Sequence, residues 1–159
     1  MMSSPQVLLL AFLMGVVTGL RSLTAPAAVA WAAHLNWINL RNTPLNFMAS
    51  AIAAGTFSLL AGMELVADKL PKTPSRTGAL GLSARIALGG LCGACVGLAG
   101  GESLVMGAVV GVAGGLAGCF GGYYTRTGLV RALKCPDFVI ALLEDAVAVG
   151  GALFIVSRF

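Results

Sequence analysis

Several charged residues stand inside long apolar runs, and these residues are the ones best suited to chemistry. A charge deep in a bilayer is costly, so each should face protein or water and have a partner. Carboxylates in such a place can bind a proton or a cation, and arginines can bind an anion or act as counter-charges. The residues concerned are Arg21, Glu64, Arg85, Glu144 and Asp145.

The spacing of these charges predicts that three of them lie at a similar depth in the membrane, in one shared layer. Arg85 and Glu144 each lie about seven residues, or roughly 10 Å, inside the start of a predicted helix, and Glu64 lies near the end of its own segment. We therefore expect Arg85 to lie between Glu64 and Glu144. Asp145 points about 100° away from Glu144 on a helix, so these two acids should serve different partners. Arg126 is a further source of positive charge.

Two interpretations of this layer remain open. One is a structural network of ion pairs that holds the helices together. The other is a site for a proton, an ion or a small solute. Asp68 and Arg126 are expected at the cytoplasmic rim, where their side chains can reach the membrane surface.

The composition identifies the class of protein in which these charges occur. Of the 159 residues, 58% are hydrophobic and only 10% are charged, whereas soluble domains have about 25% charged residues. This balance disfavours a soluble enzyme, a disordered tail and a nucleic-acid-binding domain. We expect an all-α, polytopic transmembrane bundle of about five helices, forming one integral membrane domain over residues 1–159. The lipid bilayer is its first partner.

The first apolar segment, residues 5–37, is too long for one straight crossing. As one helix it would extend about 50 Å, against a hydrocarbon core of about 30 Å. A break near Gly19 to Pro26 is therefore predicted, because Pro26 lacks a backbone donor.

The basic loops predict the orientation in a bacterial inner membrane. We expect segment two at about residues 45–68, segment three at about 78–99 and segment four at about 104–124. Most Lys and Arg residues fall in the connections after segments two and four, at residues 69–77 and 125–137, which should be cytoplasmic. With five full crossings the N-terminus would be cytoplasmic and the C-terminus outside. If segment one is instead a re-entrant hairpin, the N-terminus moves outside while the basic loops stay inside.

Glycines recur every fourth residue in segments three and four. Residues four apart share one helix face, and small residues there allow two helices to approach closely in lipid. We therefore expect a tightly packed antiparallel hairpin of the glycine-zipper type. Its packing residues would be Gly89, Gly93, Gly97, Gly111, Gly115 and Gly118.

No catalytic or metal-binding constellation is recognisable. Cys92 and Cys95 have the CxxC spacing, but they lie in a membrane segment among glycines and lack a second ligand pair. His34 is the only histidine, which excludes a multi-His metal site within one chain. We expect no enzymatic activity, no metal and no cofactor.

Two short stretches suggest an internal repeat. The stretch from Gly15 to Ser22 is similar to the stretch from Gly118 to Thr125, and Ala61 to Glu64 is similar to Ala141 to Glu144. A single helix between the two units would invert the second unit, which is a feature of many transporters.

The same residues resemble a known family. Gly19-Leu20-Arg21-Ser22, Glu64-Leu-Val-Ala-Asp68-Lys69-Leu-Pro71 and Leu143-Glu144-Asp145 are similar to the motifs of the bacterial membrane proteins catalogued as domain of unknown function 4126. The resemblance extends over nearly the whole chain. It implies a helical protein of the bacterial inner membrane, and it supplies no activity, substrate or catalytic residue.

Three functions remain open at this point. The first is a small transporter or channel-like protein that moves an ion or small solute through the charged layer, with a homodimer as a candidate assembly. The second is a structural or assembly protein whose charges are buried ion pairs. The third, a lipid-modifying membrane enzyme, has the least support.

Overall fold

All the regular secondary structure of the described residues is helical. The structure is a computed structural model that describes residues 2–67, 78–134 and 136–159. Asp68, the basic loop at 69–77 and Cys135 lie outside these residues. The described helices are α1 (Ser4–Leu20), α2 (Thr24–His34), a short 3-10 helix (Asn46–Ala49), α3 (Ala51–Ala67), α4 (Ala79–Ala99), α5 (Leu104–Leu133) and α6 (Asp137–Val156).

The first apolar segment is divided into two helices within the region where the sequence predicted a break. α1 ends at Leu20 and α2 begins at Thr24, so residues 21–23 form the break. Pro26 lies in the first turn of α2, where an N–H group would have no acceptor within the helix. The break leaves unpaired carbonyls at the end of α1 and unpaired N–H groups at the start of α2, and other groups must satisfy both.

α2 folds back beside α1 instead of continuing in the same direction. Ile38 and Met48, which follow α2, belong to one buried cluster with Val96 of α4 and Val156 of α6. Val96 and Val156 lie in the parts of their helices that are remote from the break. The end of α2 therefore returns toward the end of the bundle at which α1 begins.

α3 runs antiparallel to α2. At one end of the pair the Glu64 carboxylate contacts the N–H of Leu23, and further along Trp31 Nε1 donates to Ser58 Oγ at 2.8 Å. Ser50 starts α3 by accepting a hydrogen bond on Oγ from the backbone N of Ala53. α3 thus brings its last turn, with Glu64, back to the break.

Three of the described helices, α4, α5 and α6, are long and apolar enough to cross a membrane. α4 and α5 form an antiparallel pair, in which Gly89 faces Gly111 and Gly93 faces Gly107. α6 returns along α5, with Glu144 next to Arg126. α1 and α3 are apolar but shorter, at 17 residues each.

The direction of the helices changes the expected placement of the termini. Because α2 folds back, the six α-helices alternate in direction and both termini lie at the same end of the bundle. The prediction of five full crossings placed the termini on opposite sides. The re-entrant alternative for segment one agrees with the observed arrangement.

α5 is longer than the sequence predicted. We expected a basic connection from Thr125 to Asp137, but the helix continues to Leu133. No proline occurs in this stretch before Pro136, so nothing in it stops the helix. Lys134 ends it in the left-handed conformation, with φ at 50°.

Candidate charge site at the helix break

Glu64 binds the start of α2. Its Oε1 accepts hydrogen bonds from the backbone N and the Oγ of Ser22, at 2.9 and 2.5 Å, and its Oε2 accepts one from the backbone N of Leu23 at 2.9 Å. These N–H groups belong to the positive end of the α2 dipole, which favours a carboxylate. Glu64 therefore caps α2 from another helix.

Arg85 binds the end of α1. Its Nε donates to the carbonyl of Gly19 at 3.0 Å, and its Nη1 donates to the carbonyl of Gly81 in its own helix at 3.0 Å. The side chain is buried, with 7% exposed. This guanidinium donates to a carbonyl at the C-terminal end of α1 that lacks a partner within the helix. Its positive charge is also favoured by the negative end of the α1 dipole.

Arg21 lies in the break itself and pairs with α6. Its Nη2 lies 2.5 Å from Asp145 Oδ1, and the exposed fractions of the two side chains are 1% and 13%. A buried pair of this kind costs desolvation on both sides, and its loss from one side leaves an uncompensated charge. The pair connects the break between α1 and α2 to the middle of α6.

The two ends of the broken helix are therefore matched by charges of opposite sign. A carboxylate lies at the positive start of α2, and a guanidinium lies at the negative end of α1. Non-helical backbone inside an apolar bundle is stable only when its polar groups find such partners. We name the set Arg21, Ser22, Glu64, Arg85 and Asp145 the break cluster.

The expected position of Arg85 between Glu64 and Glu144 was wrong. Every contact described for Glu64 is to Ser22 or Leu23, and the described contacts of Arg85 are to backbone carbonyls. The physical reason is the break itself, because it creates N–H groups and carbonyls that bind these side chains. Sequence spacing alone does not reveal where such groups lie.

Glu144 and Asp145 have different partners, as their angular separation predicted. Glu144 Oε2 accepts a hydrogen bond from Arg126 Nη1 at 3.4 Å, whereas Asp145 pairs with Arg21. Arg126 also donates twice to Asp137, from Nε at 2.8 Å and from Nη2 at 2.6 Å. We name Arg126, Asp137 and Glu144 the rim cluster.

An open groove begins at the rim cluster. It has a volume of about 350 Å³ and lies between α1, α5 and α6. Arg126, Glu144 and Thr125 are the polar residues of its lining, and the remaining walls are apolar or glycine. The main wall residues are Val16, Leu20, Gly118, Gly121, Leu143 and Val147. Glu64 and Arg85 do not line this groove.

Glycines allow the helices around the break to touch through their backbones. A Cβ added at Gly93 would overlap the backbone of Gly111, and a Cβ added at Gly97 would lie 3.0 Å from Gly107 Cα. Gly89 and Gly115 lie at the same interface, whereas Gly118 faces the backbone of Val16 in α1. α5 therefore uses one glycine face for α4 and another for α1.

Two glycines of α1 that were not predicted as packing residues also lie at a helix contact. Gly15 packs on Gly111 and Gly19 packs on Gly115, and their spacing of four was a visible signal. These pairs also show that α1 and α5 run parallel. An inverted repeat would make these two helices antiparallel, so the similar stretches do not form one.

Other contributors to the site could not be recognised from sequence. Ser22 and Leu23 act through backbone N–H groups, and Gly19 acts through its carbonyl. Asp137 gave a weak signal, since an acid directly after Pro136 is typical of a helix start.

Comparison with known proteins identifies the family. No curated protein matches the chain, and no solved structure matches it. One family model, described as Domain of unknown function (DUF4126), matches residues 8–157, which covers the three motifs and the break cluster. The resemblance inferred from those motifs is confirmed, and the chain belongs to the DUF4126 family.

Proposed function

We propose that this protein is a small transporter or channel-like protein of the bacterial inner membrane, and that the break cluster is its site for a proton or small cation. The observation that carries the proposal is the environment of Glu64. This carboxylate lies in an apolar bundle, and its described contacts are all to neutral donors.

The chemistry of Glu64 supports reversible occupancy. A proton or cation that binds its oxygens competes with the N–H groups of Ser22 and Leu23 and with the Ser22 hydroxyl. Occupancy would therefore loosen the start of α2, which is held at this point by Glu64. Broken helices whose ends bind charged groups are a recurring construction in transporters.

Arg21 and Asp145 provide a second switching element in this proposal. Asp145 is partly exposed whereas Arg21 is buried, so a cation can reach the carboxylate more readily than an anion can reach the guanidinium. Movement of the Asp145 side chain would leave Arg21 without its described counter-charge. Loss of the Glu64 hydrogen bonds and loss of the Arg21–Asp145 pair would thus both remove contacts of residues 21–23.

The orientation is part of the proposal. The rim cluster, the last turn of α3 and the start of α4 lie at one end of the bundle. In the sequence, most basic residues fall between α3 and α4 or in the last turns of α5 and the residue after it, so we assign this end to the cytoplasm. Both termini then lie on the outer side. The proposal includes no catalytic step, and a homodimer remains its candidate assembly.

A structural role is the second candidate, and one observation favours it. Arg21, Arg85, Arg126 and Glu144 all have bonded partners in the described structure. Reconstitution in liposomes distinguishes the two candidates. Uptake should be measured for a panel of monovalent ions and small neutral solutes, with Glu64→Gln beside the wild type and Glu144→Gln, from the rim cluster, as the comparison. If the wild type transports none of these ions and solutes, and the variants differ from it only by lower stability, the structural role is supported.

A further inference from the structure

The groove beside the rim cluster has two chemically different parts. One part is polar, with the guanidinium of Arg126 beside the carboxylate of Glu144. The rest is apolar and lies between α1, α5 and α6, with Val16 and Val147 on its walls. Such a groove complements a molecule that has a charged head and an apolar tail.

Glycine creates the space in the groove. Gly121 lines it, and a Cβ added there would meet no atom within 4 Å. A larger residue at this position would therefore occupy the groove without displacing a helix. Apolar surfaces that face a gap lose dispersion contacts, so an acyl chain would restore contacts that α5 and α6 do not make with each other.

The rim cluster indicates the headgroup. One guanidinium lies between two carboxylates, because Arg126 bonds to both Asp137 and Glu144. A phosphate suits the guanidinium donors, and an ammonium group suits the carboxylates. A headgroup that carries both charges satisfies both, whereas a purely anionic headgroup would meet repulsion from the two acids.

We propose that this groove binds a phospholipid with a zwitterionic ammonium–phosphate headgroup, of the phosphatidylethanolamine type. The headgroup lies at Arg126, Asp137 and Glu144, and one acyl chain lies along Gly121 and Val147. A helix of a second copy fits less well, because its apolar side chains would further desolvate the charges of Arg126 and Glu144. This site is separate from the break cluster and does not depend on transport.

Photocrosslinking tests the site directly. The full chain is reconstituted with phosphatidylethanolamine that carries a diazirine in its acyl tail, or with the corresponding phosphatidylglycerol, and the labelled peptides are mapped. We expect the ethanolamine lipid to label α5 and α6 and the glycerol lipid to label them about tenfold less, which corresponds to about 1.4 kcal/mol.

Two glycine variants separate groove binding from general lipid contact. Gly121→Leu should reduce the labelling about tenfold. Gly150→Leu is the matched control, because a Cβ there also meets nothing within 4 Å and the residue does not line the groove. Should Gly121→Leu fail to fold, Val147→Phe fills the same groove from α6.

The outcomes decide the proposal. Lower labelling in Gly121→Leu, with unchanged thermal midpoint and normal labelling in Gly150→Leu, supports it. Equal labelling of the two variants overturns it, as does equal labelling by the two lipids. Loss of a dimer in Gly121→Leu without loss of labelling would assign the groove to a second copy and would also overturn it.

Discussion

Glu64 Oε1 accepts hydrogen bonds from both the backbone N and the Oγ of Ser22, at 2.9 and 2.5 Å. The two residues are 42 positions apart in the chain, so this contact connects the last turn of α3 to the break between α1 and α2. The Glu64 carboxylate provides an acceptor for backbone N–H groups that have no partner within a helix because of the break. The stability of the broken helix should therefore depend on a side chain outside it.

Replacing Glu64 should destabilise the protein through α2. Glu64→Gln keeps the size of the side chain but removes the charge that the α2 dipole favours, so we expect a loss of about 1–2 kcal/mol. Equilibrium unfolding in mixed micelles measures it. Glu102→Gln, in the turn between α4 and α5, is the matched control and should change stability little. Equal effects of the two substitutions would contradict the capping role.

Arg21 and Asp145 should be strongly coupled. Arg21→Met alone or Asp145→Leu alone leaves one buried charge without its described counter-charge, and the cost should be about 3 kcal/mol or more. The double variant removes both charges and should be more stable than the sum of the single losses predicts, by about 1–3 kcal/mol. A double-mutant cycle measures this term. Strict additivity would show that the pair does not act as a unit.

Glycines at helix contacts should respond differently from glycines that face open space. Gly111→Ala places a methyl group against the backbone of α4, so we expect a loss of about 1–3 kcal/mol. Gly150→Ala adds the same group where nothing lies within 4 Å, and it should be neutral or slightly stabilising because alanine favours helix. Thermal unfolding distinguishes them. If Gly111→Ala left the thermal stability unchanged, α4 and α5 would be able to separate at little cost in free energy.

The fold predicts which exposed positions share one side of the membrane. Cysteines introduced as Ser3→Cys and Ser157→Cys should react with an impermeant thiol reagent from the outside, and Ser83→Cys should react only from the cytoplasm. A background with Cys135→Ser limits the signal to the new cysteine, since Cys92, Cys95 and Cys119 are buried. Labelling of Ser3→Cys and Ser157→Cys from opposite sides would contradict the fold-back of α2.

The sequence predicted the class of protein and the position of the break because both depend on local properties. Apolar runs indicate membrane helices, and an apolar stretch too long for one crossing that contains Pro26 indicates a break. The extension of α5 to Leu133 was not predicted, because the basic residues after Thr125 are typical of a cytoplasmic connection. Arg126 instead finds Asp137 and Glu144, so its charge is compatible with a helix that continues.

The partners of the charges were harder to predict. Spacing correctly separated the roles of Glu144 and Asp145, because both lie on one helix of known geometry. The placement of Arg85 was wrong because its acceptor is the Gly19 carbonyl, which becomes available only when α1 ends at Leu20. The direction of α2 also depends on tertiary packing of Ile38 and Met48, which no local pattern encodes.

The central claim is that Glu64 binds a proton or small cation during transport. Its most direct test is ion uptake into liposomes that contain purified protein, driven by an imposed gradient and followed with a proton-sensitive or sodium-sensitive dye inside. We predict uptake with the wild type and with Glu102→Gln, and uptake near that of empty liposomes with Glu64→Gln, measured where all three are folded. The absence of uptake in the wild type, or full uptake in folded Glu64→Gln, would contradict the account.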